Sequence, residues 1–383
     1  MSASVAVLGA AGLVGRAAVG MLRELGVGEV RAGFRHTPPR DGFAEPVHVD
    51  ADDPVSLARF CADADLVLNC AGPSYLLLDR VARAALAAGA HYVDVSGDQP
   101  AYHLLAGSDP GTCVVLSAGM LPGLANLVPR VLAAGVSLAG AELVVHAGGI
   151  ERFGRASAGD LVLSVDSTGL DPTGLDSTGL DSTGRGGHWY GEALAAWRDG
   201  RPVSGALAPA EDVELPHFPG RVGLMPFLTA DSARLARTTG LAALDWFNVF
   251  TGTRLRPALT RLRGRVPRDP AALDAAVDEL MAAGEVDRAG QDPYYLMAFT
   301  LCSGTAGRTA VLKTGSSFEL TAATAALTVR AVVNGEIPRG LHYADDVLHP
   351  EATLQGVRDL GALPVFDVRD HERGATVIEE GLL

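Results

Sequence analysis

Apolar and polar positions along the first 120 residues switch repeatedly between two periods. "SVAVLG", from Ser4, is a near-continuous apolar run and predicts a buried strand. It stops on Gly9, Gly12 and Gly15, spaced three apart, and gives way to "LVGRAAVGMLREL". There Leu13, Ala17, Met21 and Leu25 recur near one face, which predicts a helix. "EVRAGFR" and "PVHVD" predict a second and a third strand, followed by a helix from Pro54 to Cys61. "DLVLNCAG" predicts a fourth strand, and "YLLLDRVARAALAAG" a single helix closed by Gly89. "HYVDVSG" and "TCVVLSAG" predict the fifth and sixth strands. Such alternation with short turns predicts an α/β fold, a doubly wound parallel sheet with its ligand at the carboxyl ends of the strands.

After Gly119 the pattern changes. Helical stretches ("LANLVPRVLAAG", "DPAALDAAVDELMAAG") mix with strand-like ones ("AELVVHAGG", "TAVLKTG", "SFELTA"), which predicts an α+β substrate or dimerisation domain over residues 121–339. From about Gly340, short loop-rich elements follow. One segment stands apart: a five-residue unit repeats four times from Asp166 to Gly184. Its Asp, Ser, Thr and Gly are turn formers, and one apolar residue per unit builds no core. Residues 165–187 are therefore expected to form a flexible surface loop, lengthened by repeat expansion at small entropic cost.

Composition narrows the function classes. A chain of 383 residues suits two domains, and 48% hydrophobic residues suffice for large cores. The net charge of −14 and the lack of any Lys/Arg run exclude nucleic acid as the main partner. With no run of 18 apolar residues, no membrane span is expected. Cys61, Cys70, Cys113 and Cys302 lie far apart without metal-ligand spacing, so a reducing cytoplasm and no bound metal are expected. Hydrolase and metalloenzyme readings find no support, because neither a Gly-x-Ser-x-Gly elbow nor a His-x-x-x-His pair occurs.

The glycine loop follows a predicted buried strand and opens a helix, the context in which such a loop receives a pyrophosphate. Glycine permits the sharp turn, and the unpaired N–H groups of the helix start favour an anion. An NAD site carries an acidic residue about 20 residues further on. Here the place reads "GFRHT", with Arg35 twenty residues beyond Gly15 and no carboxylate from there until Asp41. A guanidinium grips a 2′-phosphate that a carboxylate would repel, so the expected cofactor is NADP rather than NAD.

"NCAGPSYLLLDRVARAALAAGAHYVDVSGD", "AGMLPGLANLV" and "FELTAATAALTVRAVVNGEIPRG" together resemble the saccharopine dehydrogenase-like reductases. The resemblance implies a Rossmann domain (1–120), an inserted α+β substrate/dimerisation domain (121–339) and a carboxyl-terminal return to the first domain (340–383). By position it implies that Gly9, Gly12 and Gly15 face the pyrophosphate and Arg35 the adenosine ribose. Asn69, Ala71, Gly72 and Pro73 would line the cofactor at the fourth strand end, and Asp94, Ser96 and Gly97 would approach the nicotinamide from the fifth. Leu13, Val14 and Asp50 complete the candidate cofactor set. A reduction also needs a proton donor. Tyr75, Asp98 and, after the repeat, His188 are the candidates. The expected function is NADP-dependent reduction of a C=N, C=O or C=C bond in a small metabolite, by a protein expected to be a homodimer. The alternative is an NADP-binding sensor or scaffold without turnover.

Overall fold

The computed structural model describes residues 3–39, 44–107, 111–134, 137–152, 154–164, 191–262, 267 and 269–372. In chain order, the first part comprises β1 (Ser4–Leu8), α1 (Leu13–Glu24), β2 (Glu29–Phe34), β3 (Glu45–His48), α2 (Pro54–Cys61), β4 (Leu66–Asn69), α3 (Ser74–Leu77), α4 (Arg80–Ala87), β5 (His91–Asp94), α5 (Gln99–Leu105) and β6 (Cys113–Leu116). Then come α6 (Leu124–Leu132), β7 (Glu142–Ile150), α7 (Arg155–Ser164), β8 (Gly191–Ala193), β9 (Ala196–Arg198), β10 (Arg201–Val203), β11 (Ala210–Glu214), β12 (Arg221–Thr229), α8 (Ala230–Thr239), β13 (Ala243–Phe250), α9 (Leu255–Leu262) and α10 (Pro270–Arg288). The last part holds β14 (Tyr294–Ser303), β15 (Ala306–Thr314), α11 (Ser317–Val333), β16 (Gly340–Tyr343), α12 (Ala344–Val347), α13 (Pro350–Asp359) and β17 (Val365–Glu372).

Seven of these strands form an all-parallel sheet in the order β16-β6-β5-β4-β1-β2-β3. Every residue of β4 and β6 is buried, as strands covered by helices on both faces demand. Chain order reverses between β1 and β4, which opens a crevice at their carboxyl ends. The remaining strands form a mixed sheet in which β7 runs parallel to β13 and antiparallel to β14. Its core joins Leu143, Trp246 and Phe299 to α6, α8, α11 and α13.

The carboxyl-terminal stretch divides between the sheets. Strand β16 pairs with β6 in the parallel sheet, whereas β17 pairs with β15 in the mixed one. Within residues 340–372, β16 thus joins the parallel sheet while β17 extends the mixed sheet beyond β15. Conversely α11, inside the 121–339 span, packs its alanines Ala322, Ala325 and Ala326 in one cluster with Ala18, Val19 and Leu22 of α1.

Two further expectations differ from the structure. "SFELTA" is the first turn of α11 and not a strand, since the Ser316 hydroxyl caps the Glu319 N–H at 3.2 Å. The helix foreseen after Pro73 is broken into α3 and α4. Leu78 takes φ 49°, and the chain turns there so that Leu77 and Val81 enter one core. Among the described residues, no helix is long and apolar enough to cross a membrane. The Asp166–Gly184 repeat and His188 lie outside the described residues.

Candidate functional site

The crevice between β1 and β4 is the mouth of a cavity of about 630 Å³. Its floor is the glycine loop. Gly9 sits at φ +77°, and a Cβ there would lie 2.8 Å from the Ala71 backbone nitrogen. Gly12 is the N-cap of α1 and lines the cavity with Leu13 and Val14. No side chain caps this helix start, so its N–H end is left for an anionic ligand. Gly15 does not face the cavity. It is buried under the turn, where a Cβ would lie 2.3 Å from the Gly9 carbonyl oxygen. Its task is close packing of helix on loop, the usual role of the third glycine in such a loop.

Arg35, at the end of β2, lines the same cavity with its side chain 54% exposed. The fold brings two carboxylates to it that sequence distance concealed. Asp50 lies 3.4 Å from its Nε and Asp52 3.4 Å from an Nη. Asp52 lines the cavity, but Asp50 stands behind it, its Oδ1 accepting from the Asp52 N–H at 3.0 Å. Asp50 therefore orients the arginine and the turn.

Ala71, Gly72 and Pro73 line the cavity after β4. Asn69 lies beneath them and holds the turn, its Oδ1 accepting from the Ala71 N–H at 3.1 Å. The Asn69 Nδ2 donates to Asp94 at 3.0 Å. Asp94 is buried and also accepts from the Tyr92 hydroxyl and from the Ser96 N–H at 2.9 Å. It therefore supports the strand ends instead of approaching a nicotinamide. Gly97, at φ +68°, packs against Asp94 and Leu116 and likewise misses the cavity. Ser96 alone of these three reaches it.

The second sheet's domain closes the cavity with residues whose roles the sequence did not reveal. Glu151, just past β7, accepts from the Ser317 N–H at 2.9 Å and from the Ser317 hydroxyl, anchoring the start of α11. From α7 come Arg155, Ser157 and Asp160. The Asp160 Oδ1 accepts from the Ser74 hydroxyl at 3.1 Å and the Tyr75 N–H at 3.2 Å. Burial pushes its pKa up to about 7, against the pull of these same bonds. A sequence signal existed in Gly159, where a Cβ would lie 2.6 Å from the Pro73 ring. A mid-helix glycine next to an aspartate marks the close approach of α7 to α3.

A second cavity, of about 340 Å³, adjoins the first, and Ser96, Leu121, Ser157 and Asp160 belong to both. Tyr75 lines it, and its hydroxyl donates to Asp98 at 3.3 Å. Asp98 itself lines neither cavity. It precedes α5 without capping it and lies behind Tyr75. Burial, then the charges of Asp231 and Asp160, push its pKa to about 7.

Residues 5–107 match the family model of the saccharopine dehydrogenase NADP-binding domain. Over 64 residues the chain is 39% identical to a probable mitochondrial saccharopine dehydrogenase-like oxidoreductase of Arabidopsis thaliana. That match covers 17% of this chain and only 14% of the plant protein's length. The whole architecture is similar to saccharopine dehydrogenase (L-glutamate forming) of Saccharomyces cerevisiae, with a TM-score of 0.62 at 14% identity over 96% of this chain and all of that one. Residues 5–107 are therefore similar to the NADP-binding domain of saccharopine dehydrogenases, within a chain whose overall fold is similar to that of the yeast enzyme.

Proposed function

We propose that the chain is an NADP-dependent reductase, with cofactor in the first cavity and a small metabolite in the second. The observation that carries this reading is the junction of the two cavities, where Asp160 belongs to both. The first cavity fits a dinucleotide. Gly9 and Gly12 leave the helix start bare for a pyrophosphate, and Arg35 supplies a cation at the far strand end. Ala71 to Pro73 and Ser96 would hold the half nearer the junction. When bound, NADPH supplies the hydride for a C=N or C=O bond.

The protein's share is orientation and a proton. Asp160, with a pKa of about 7, holds a proton part of the time at neutral pH and can give it to the nitrogen or oxygen of the reduced bond. Ser74 and the Tyr75 N–H fix its carboxyl. Tyr75 presents a second hydroxyl, turned by Asp98. Removal of an acid–base group typically costs 10²–10⁴-fold in rate. Asp160→Asn should therefore lose turnover on that scale in an NADPH-oxidation screen of imines and of oxo-acids with amines. The NADPH dissociation constant should stay within a few-fold of wild type. An Asn variant that turns over normally would remove Asp160 from the chemistry. Tight NADPH binding without turnover of any substrate class would favour a sensor or scaffold.

A further inference from the structure

The second cavity is built differently from one meant for a polyanion. Strand residues two apart share a face, and Met225, Phe227 and Thr229 of β12, with Asn248 and Phe250 of β13, line it in that rhythm. Leu121, Leu161 of α7 and Leu259 of α9 add further apolar wall. Among the described lining residues, Asp160 is the single carboxylate and Arg256 the single cation. Buried charges on a ligand need partners one for one, so this wall accommodates one anionic group beside an apolar body.

Arg256 is placed to be that partner. It lies in the first turn of α9 with its side chain only 20% exposed. Its Nε lies 3.4 Å from where a Cβ on Gly223 would stand, so a bare stretch of β12 makes room for the guanidinium. One Nη pairs with Glu211 at 2.7 Å, and the Glu211 side chain is 70% exposed. A guanidinium offers five donors, enough to keep a solvated glutamate and accept a ligand carboxylate as well. Arg256 belongs to the second cavity alone, away from the junction that Asp160 occupies.

We infer that the substrate class is a monocarboxylate with an apolar body. The carboxylate lies on Arg256, the body lies against Phe227, Phe250 and Leu259, and the reacting end is at Asp160. This rests on the assignment of the two cavities to cofactor and substrate. The test is calorimetry on the NADP⁺-loaded protein with octanoate, octanol and glutarate as probes. NADPH binding is measured separately by fluorescence.

Octanoate should bind without displacing the cofactor, and glutarate at least tenfold more weakly. Loss of one charged hydrogen bond in Arg256→Gln should weaken octanoate about 10- to 150-fold and leave octanol unchanged. Glu211→Gln, an exposed change that spares folding, should tighten octanoate, because it removes the competing carboxylate. Glutarate binding as tightly as octanoate would overturn the inference. So would octanoate binding that neither variant alters. Failure of NADPH to bind would instead defeat the assignment of the first cavity. NADPH binding with no octanoate binding would defeat the substrate class alone.

Discussion

Arg35 shows how one residue's strength depends on what the fold sets beside it. More than half of its side chain meets solvent, and Asp50 and Asp52 both stand 3.4 Å away. A 2′-phosphate would compete with these carboxylates for the guanidinium, so the lower end of the charged-bond range applies, about 1.5 kcal/mol or roughly tenfold in affinity. Arg35→Ala should weaken NADPH by about that factor and leave NADH unchanged, and Asp52→Asn should tighten NADPH. Dissociation constants at matched salt decide it, with equal losses for both cofactors removing Arg35 from the 2′ site. Asp160 gives a second signature at this scale. Its pKa of about 7 lies above the ordinary 3.8. The protonated acid serves reduction, so kcat for reduction should fall as pH rises through about 7, and Asp160→Asn should abolish that limb. Linkage gives the stability sign. Asp98 and Asp160 both titrate near 7 when folded. The folded state therefore binds more protons than the unfolded between about pH 4 and 7, and these two groups make stability fall as pH rises through that window. Chemical denaturation at pH 4.5 and 7.5 should show a smaller fall for Asp98→Asn than for wild type.

At the scale of elements, α7 matters most, because it sets Asp160 against α3. Gly159→Ala would put a methyl 2.6 Å from the Pro73 ring and push the helix away. The expected result is a fall in kcat by at least tenfold with a smaller loss of NADPH affinity, since Pro73 borders the cofactor cavity but the glycine loop lies on another element. An unchanged kcat would show that the α7–α3 spacing is not critical. The same helix marks the limit of what the sequence discloses. The inner strands β4 and β6 were legible because burial on both faces writes itself as the apolar runs "LVLN" and "CVVL", whereas β16 lay in a stretch read as loop-rich. Helix α1 was legible from the glycines before it. In contrast, "RASAGDLVLS" has no clear apolar stripe, because it packs on α10 and also borders both cavities. Asp50 and Asp52 could not be paired with Arg35 by counting, since β3 intervenes. Asn69 and Asp94 stand at the expected strand ends, but their side chains bond to each other beneath the cavity surface. Such direction depends on tertiary packing, to which local pattern is blind.

At the scale of the whole molecule, the cavities persist only if the two sheets keep their mutual placement, and a buried ionic cluster bridges them. Arg234 of α8, which follows β12 of the mixed sheet, reaches Asp345, which follows β16 of the parallel sheet. It also lies 3.2 Å from Asp231 and stacks 3.9 Å over the Tyr343 ring. From α6, Arg130 approaches Asp345 at 3.2 Å, and Asn126 donates to Asp231 at 2.8 Å. The Asp345 side chain is 0% exposed. Its ionised form is tolerable only beside these cations, because a buried charge stripped of its partner is costly. Arg234→Met leaves Asp345 with Arg130 alone and Asp231 with Asn126 alone, so it should lose stability in urea unfolding, up to the ~3–5 kcal/mol typical of breaking a buried ion pair. Replacing the cluster's charges together should cost much less, since apolar packing can stand in for a buried ion pair. The triple change Arg234→Met, Asp231→Leu and Asp345→Leu should regain most of the loss. Loss of stability in the single variant with recovery in the triple would identify the cluster as a device that fixes how the sheets meet, and not as a source of net stability. Losses that simply add would mean that each residue acts alone. NADPH affinity in the triple variant separates placement from stability: a cluster that sets the sheets' orientation should, when replaced, leave the protein folded with a weakened cofactor site.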